Sequence, residues 1–389
     1  MSEQVMTRAF IALERLTDPR AEHLSSESQA ALRQFSTDRL IGYGVDRADA
    51  LRLREMVLAG AEWRAAAANL ADTCRLLADE AASHGSELTS MVYLRRASAL
   101  LRMSQVMMLE DTPDRCELYR EAGRLYGAAA QLSGDRSRVT LSTPTGPMVG
   151  WHLTTTSSPI GAALVIGGVE GWAMDFDCIG EALAARGVET LMLDGPGQGE
   201  TRFEYGNYLT EDWRHAYTVA LDFLESRVPE HPIGIVGNSM GGAIAMAVAV
   251  GDPRVRACCS NGGMPAPGLV PPSVGTFFTK MVACCGDVSP ERSQAIWSTV
   301  SPLAPGSNTG YPLLVLHGGA DPMVTAELAQ VLFEKAPTCD KQMVVFSDGD
   351  HCLYNHKADR DAHIADWIRG RFTASLPTAG AYGEHDEDH

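Results

Sequence analysis

After Gly134 the sequence settles into a repeating order of short apolar run, turn and helical stretch. The runs GAALVIGG, VETLMLDG, PIGIVGN, RVRACCS, YPLLVLHGG and KQMVVFSDG are continuously apolar rather than alternating. A strand that is apolar on both sides must be covered on both faces, which is what helical crossovers do for a parallel sheet. The pattern therefore predicts a mostly parallel, doubly wound sheet, with ligands bound at the carboxyl ends of its strands. Just upstream, Arg138 to Leu141 and Met148 to Leu153 flank a Pro-Thr-Gly-Pro turn and predict an antiparallel hairpin.

Before Gly134 the period changes. Trp63, Ala67, Leu70, Cys74 and Leu77 recur at three- and four-residue steps, as do Tyr119, Ala122, Tyr126 and Ala129. The second series has Thr112 placed to cap it, Pro113 at its first position and Gly134 at its stop. Between them SELTSMVYLRRASALLRMSQVMMLE reads as one long helix, with Met103, Met107 and Met108 as core packing. Residues 1–136 are thus expected to form an all-helical N-terminal domain and residues 137–373 a second, α/β domain. The connection 261–307 is longer than an ordinary crossover, with helices predicted around Val274 to Ala283 and Pro290 to Val300. It is expected to form part of a lid, with an ordinary peripheral excursion as the equal alternative.

A chain of 389 residues suits two domains, at roughly 100 to 200 residues each. It has no run of about 18 uncharged apolar residues, and its start, MSEQVMTRAFIALERLTD, lacks the layout of a secretory signal. A cytoplasmic protein is expected. Its nine cysteines, with Cys258/Cys259 and Cys284/Cys285 in apolar segments, read as buried thiols, and no C-x-x-C pair points to structural zinc. The formal charge of −17, from 32 basic and 49 acidic residues, disfavours nucleic acid and anionic lipid as partners. A small-molecule substrate is expected instead. Residues 374–389 are Gly/Ala-rich and then acidic, and are expected to be a disordered tail.

Within this frame PIGIVG runs directly into Gly237-Asn238-Ser239-Met240-Gly241-Gly242, and the small-residue helix AIAMAVAV follows. Strand, G-x-S-x-G and helix in that order resemble the nucleophile elbow of the α/β-hydrolase fold. The turn thrusts a serine hydroxyl into the cleft, so the residues two before and two after it must lack colliding side chains. Ser239 then heads a helix, where the amide N–H of Met240 can meet a developing oxyanion. The second oxyanion donor should come from Gly167-Gly168-Val169-Glu170-Gly171-Trp172, with Val169 or Glu170 as the natural choice. Glu170 either orients substrate or is simply a loop carboxylate, and Trp172 is a further candidate substrate contact.

A serine hydroxyl is a weak nucleophile until a base takes its proton and an acid orients that base. In this fold the order is serine, acid, histidine. Asp321 follows the strand YPLLVLHGG, 82 residues after Ser239, and His351 follows the strand KQMVVFSDG, 30 residues later. Asp348 and Asp350 share the histidine's loop and more naturally shape that turn. His317 lies within a strand, and His356 and His363 in or near the last helix; structural roles are expected for all three. The turn Asp194-Gly195-Pro196-Gly197-Gln198-Gly199 is expected to be structural, because no Lys-Ser/Thr completes a phosphate loop. The serine, histidine and backbone amides need no cofactor and no metal.

Together the helical N-terminus with Trp63 and YLRRAS, the GGVEGW loop, DGPGQGE, GNSMGG, HGGADPMV and DGDHCLYNH resemble the 2,6-dihydroxypseudooxynicotine hydrolase group. That group is similar to fungal polyketide-shortening hydrolases and FrsA-like esterases. The resemblance covers nearly the whole chain except its ends. It implies a helical cap over the sheet, homodimers, hydrolysis of a C–C bond next to a ketone, and Ser239, Asp321 and His351 as the triad. The expected activity is a serine hydrolase acting on a C–C or ester bond of a medium-sized aromatic or polyketide-like metabolite. The alternatives are an elimination or acyl transfer in the same fold and, last, a binding protein on a hydrolase scaffold.

Overall fold

The computed structural model describes residues 3–12 and 18–374; the expected acidic tail lies outside them apart from Ala374. Helices α1 (Ser26–Gln34), α2 (Thr37–Gly42), α3 (Arg47–Leu58), α4 (Trp63–Ser83), α5 (Glu87–Ser104) and α6 (Pro113–Ser133) form the N-terminal region. Beyond it come strands β2 (Arg136–Thr143), β3 (Gly146–Leu153), β4 (Gly161–Ile166), β5 (Val188–Asp194), β6 (Ile233–Asn238), β7 (Val255–Asn261), β8 (Leu313–Gly318) and β9 (Lys341–Phe346). Helices α7 (Asp177–Ala184), α8 (Gly199–Tyr205), α9 (Trp213–Arg227), α10 (Met240–Ala249), α11 (Thr276–Cys284), α12 (Pro290–Ser298), α13 (Ala326–Lys335) and α14 (Lys357–Ala374) connect and follow them.

The strands form one sheet in the order β1-β9-β8-β7-β6-β4-β5-β3-β2, in which β1 is Glu3–Arg8. All neighbours from β1 to β5 run parallel, and β3 and β2 add the antiparallel hairpin. β4, β5, β6 and β8 are buried along their whole length, as their uninterrupted apolar sequences require. One core layer joins the sheet to α9, α10 and α13, and the other joins it to α6, α7 and α14. At about 1.5–3 kcal/mol for each fully buried Val, Leu or Ile side chain, these layers dominate the stability of the sheet.

Two expectations about the N-terminal region need correction. Residues Glu3–Arg8 are not helical but pair in parallel with Lys341–Phe346 at the sheet edge. Polar EQVMTR, exposed along most of its length, carries no helical or apolar period that would announce a strand. The long helix also ends earlier, at Ser104. Arg102 makes four hydrogen bonds close to its end and Met107 and Met108 lie in the following turn; only Met103 is fully buried.

The helical region has its own core, centred on Trp63, whose indole N–H donates to the carbonyl of Met103 at 2.9 Å. α4 packs on α5, and α5 on α6. Thr112 caps α6 by accepting from the Arg115 amide, and Gly134 ends it at φ 66°, a left-handed conformation that glycine adopts without strain. The region is tied to the sheet by Arg102, whose Nε donates to Asp175 at 2.8 Å in the loop after β4. α2 packs on the turn that follows His351, with Tyr43 edge-on to Tyr354 at 5.0 Å. No helix among the described residues is long and apolar enough to cross a membrane.

Candidate active site

The order of the strands reverses between β4 and β6, which places a crevice at their carboxyl ends. Register pairs Ile166 with Gly237, so the loop after β4 and the turn after β6 leave the sheet side by side. Ser239 stands in that turn at φ 58°, ψ −127°, a conformation that non-glycine residues hold only where the surroundings enforce it. The enforcement is close packing. A Cβ on Gly237 would lie 2.0 Å from the carbonyl oxygen of Gly241, and one on Gly241 would lie 2.2 Å from that of Gly167. The Ser239 amide donates to Asn261 at 2.8 Å, fixing the turn to β7.

Asp321 and His351 meet Ser239 from the ends of the next two strands. Ser239 Oγ lies 2.9 Å from His351 Nε2, and His351 Nδ1 lies 2.8 Å from Asp321 Oδ2. The other Asp321 oxygen accepts from the amides of Met323 at 2.7 Å and Val324 at 3.0 Å. Burial opposes ionisation of Asp321, yet the bond from His351 and those two amides hold its pKa below the ordinary carboxylate value. Burial likewise opposes the imidazolium of His351, but the adjoining Cys352 and the Asp321 carboxylate outweigh it and raise its pKa. Cys352 and Leu353 both have φ 56°, a tight, strained turn that aims the imidazole back at the serine.

The loop after β4 runs directly past the serine: a Cβ on Gly168 would lie 2.8 Å from Ser239 Cβ and 3.3 Å from its Oγ. Val169 and Glu170 line the space beside Ser239, and Met240 heads α10, where the first amides have no acceptor within the helix. Gln198, in the turn after β5, donates from Nε2 to the carbonyls of Gly167 and Gly168, both at 2.8 Å. Its Oε1 accepts from Gly195 at 2.9 Å. The DGPGQG turn is therefore structural, as expected, but what it supports is the loop beside Ser239.

Two spaces meet at Ser239 and His351. One is a cavity of about 460 Å³ whose other lining is wholly apolar, including Met264, Leu269, Val270, Phe277 and Met323. Much of that wall comes from the segment 261–307. The other, of about 130 Å³, faces the N-terminal helices and is lined by Gln34, Arg39, Tyr43, Glu170 and Lys280. The side chain of Glu170 is 6% exposed and lies 3.3 Å from Arg115 and 3.9 Å from Lys280. Sequence reasoning missed these three cations; they come from α2, α6 and α11, and no local motif joins them.

The remaining candidates lie elsewhere. Trp172 lines neither space; it is 2% exposed, its ring edge-on to Tyr119 and Phe203 and its indole N–H bonded to the Val169 carbonyl. An aromatic residue in a glycine-rich loop suggested a substrate contact, but the ring turns inward to fill the gap between α6 and α8. Asp348 pairs with His356 at 2.7 Å, and Asp350 exchanges hydrogen bonds with Asn355 within the turn. His363 is bonded to Arg8 at 2.9 Å. His317 is buried in β8, and burial holds its imidazole pKa down.

The model of the alpha/beta hydrolase family matches residues 161–361, and the chain belongs to that family. It is a hydrolase. It is 27% identical over 317 residues to the 2,6-dihydropseudooxynicotine hydrolase of Paenarthrobacter nicotinovorans, across 77% of this chain and 82% of that one. Alpha/beta hydrolase ucsC of an Acremonium species is 29% identical over 224 residues, 51% of this chain and 45% of that one. The crystal structure of the 2,6-dihydroxy-pseudo-oxynicotine hydrolase shares the fold, with a TM-score of 0.74 at 24% identity across 89% of this chain and 99% of that one.

Proposed function

We propose that the chain is a serine hydrolase that cleaves a C–C bond next to a ketone, or an ester, in a medium-sized metabolite. Ser239 is the nucleophile, His351 the base and Asp321 the acid that orients the base. The line Ser239 Oγ, His351 Nε2, His351 Nδ1, Asp321 Oδ2, with bonds of 2.9 and 2.8 Å, carries this reading. The relatives are named hydrolases, which supports hydrolysis; the C–C bond next to a ketone is what the family resemblance implies.

In the reaction, neutral His351 takes the hydroxyl proton as Ser239 Oγ bonds to the carbonyl carbon. The carbonyl oxygen becomes an alkoxide, which the amides of Met240 and of Val169 or Glu170 stabilise. As the bond to the leaving carbon or oxygen breaks, His351 returns the proton to that atom, and an acyl-serine remains. A water activated by His351 then releases the acid and restores Ser239. Asp321, ionised throughout, holds the Nδ1–H tautomer and stabilises the transient imidazolium.

Residues 18–136 form a helical cap that closes one side of the site and, with the 261–307 segment, selects what reaches it. The resemblance further implies a homodimer, which light scattering of the purified protein tests. A panel of β-diketones and simple esters, run on wild type and Ser239→Ala in ¹⁸O-water, tests the function. Label in the released acid with wild type, and loss of turnover with the variant, are expected; full turnover by Ser239→Ala refutes the mechanism.

A further inference from the structure

We propose that the smaller space beside Ser239 is an anion-binding subsite, in which Arg39 and Lys280 take an ionised oxygen of the substrate, a carboxylate or ionised enol. The apolar cavity across the serine takes the hydrocarbon body. This rests on Ser239 being the nucleophile.

The charges around the smaller space do not balance. Arg202 is matched by Asp111, with its Nε 2.8 Å from Oδ2. Arg115 and Lys280 share one carboxylate, Glu170, at 3.3 and 3.9 Å, and Arg115 lies a further 3.5 Å from the already paired Asp111. Arg39 forms no ion pair among the described residues. Its Nη atoms donate to the Gln34 carbonyl at 3.2 Å and the Tyr43 hydroxyl at 3.0 Å, and its Nε is buried without a hydrogen-bond partner. The guanidinium carbon lies among aromatic rings, 5.0 Å from the centroid of Phe35, 5.4 Å from that of Tyr43 and 5.6 Å from that of Tyr354. Three of its five N–H groups, that on Nε among them, have no acceptor among the described residues.

Lys280 is 2% exposed and spends one donor on the Val106 carbonyl at 2.9 Å. Burial depresses its ammonium pKa, Glu170 opposes that, and the charge of Arg39 adds to the depression. The two cations thus feel each other across the space they line. Burying charge without a counter-charge is costly, and its retention beside a reactive group is a mark of function. An anion bound there meets two hydrogen-bond donors of the right sign, a strong pairing in a water-poor site. Apart from His351, which both spaces share, the opposite cavity offers no ionisable lining residue, so a substrate spanning both spaces is apolar at one end and anionic at the other.

The test uses phenylboronic acid and 3-carboxyphenylboronic acid, whose boron can bond to Ser239 while the single ring enters either space. Their inhibition constants are measured by competition with a fluorophosphonate on wild type, Arg39→Gln, Arg39→Lys and Lys280→Met. The carboxyl group is expected to tighten binding to wild type by about tenfold or more. Arg39→Gln and Lys280→Met should remove most of that preference, and Arg39→Lys should restore part of it. Equal binding of the two boronates to wild type overturns the subsite whatever the variants do, as does a carboxylate preference that survives both replacements. If the fluorophosphonate fails to label wild-type Ser239, the nucleophile reading falls and the subsite with it; labelling without carboxylate preference removes the subsite alone.

Discussion

Gln198 Nε2 donates to the carbonyl of Gly168 at 2.8 Å, and Gly168 is the residue whose added Cβ would come closest to Ser239 Cβ, at 2.8 Å. A side chain from the turn after β5 thereby fixes the loop from which the second oxyanion amide is proposed to come. Gln198→Leu removes this support and leaves two buried carbonyls without a donor. The expected result is a fall in kcat of about 10- to 100-fold with KM little changed, because the oxyanion contact strengthens only in the transition state. Steady-state kinetics checks this; a purely structural role would lower melting temperature without that split.

The activity should depend on pH in a direction fixed by the His351–Asp321 pair. His351 must be neutral to accept the serine proton, and its pKa is raised. The acid limb of kcat/KM is therefore expected above the ordinary imidazole value of about 6.5. Asp321→Asn removes the counter-charge, so the limb should move to lower pH while kcat falls by about 10³- to 10⁴-fold through the wrong tautomer. For stability the signs differ between the partners. The raised His351 pKa stabilises the fold below its unfolded value, an effect lost as pH rises through the folded pKa. The lowered Asp321 pKa stabilises above its unfolded value, an effect lost as pH falls through the folded one. pH profiles of the wild type and of Asp321→Asn check the direction.

Much of the sheet was legible because each central strand is apolar on both faces and ends in its own turn residues. Ser239, Asp321 and His351 stand at the ends of three such strands, so chain order alone brought them to one edge. β1 was not legible, since EQVMTR pairs at the sheet edge with mostly exposed side chains. Arg39 and Lys280 were not legible either: one lies on α2 and the other on α11, and only the folded chain sets them beside the same serine. Trp172 misled because a short glycine-rich loop does not reveal which way its one large side chain turns.

Anchoring of the helical region to the sheet should rest heavily on Arg102. Its Nε bonds Asp175 at 2.8 Å, and its Nη atoms reach Ser98 Oγ at 2.9 Å and the Tyr43 carbonyl at 3.0 Å, with both charged groups buried. Arg102→Met leaves the Asp175 carboxylate buried without its partner, which costs about 3–5 kcal/mol. Thermal unfolding should show a clear drop in melting temperature. Adding Asp175→Asn should recover part of it, because the neutral amide no longer carries a buried charge.

Covalent labelling at Ser239 is the most direct measure of the account. Treated with a fluorophosphonate and digested, the protein should carry the adduct on the peptide containing Gly237 to Gly242, at Ser239. His351→Ala should slow labelling by at least about 100-fold, and Ser239→Ala should abolish it. An unlabelled wild-type protein, or an adduct that persists in Ser239→Ala, would contradict the assignment of Ser239 as the activated nucleophile.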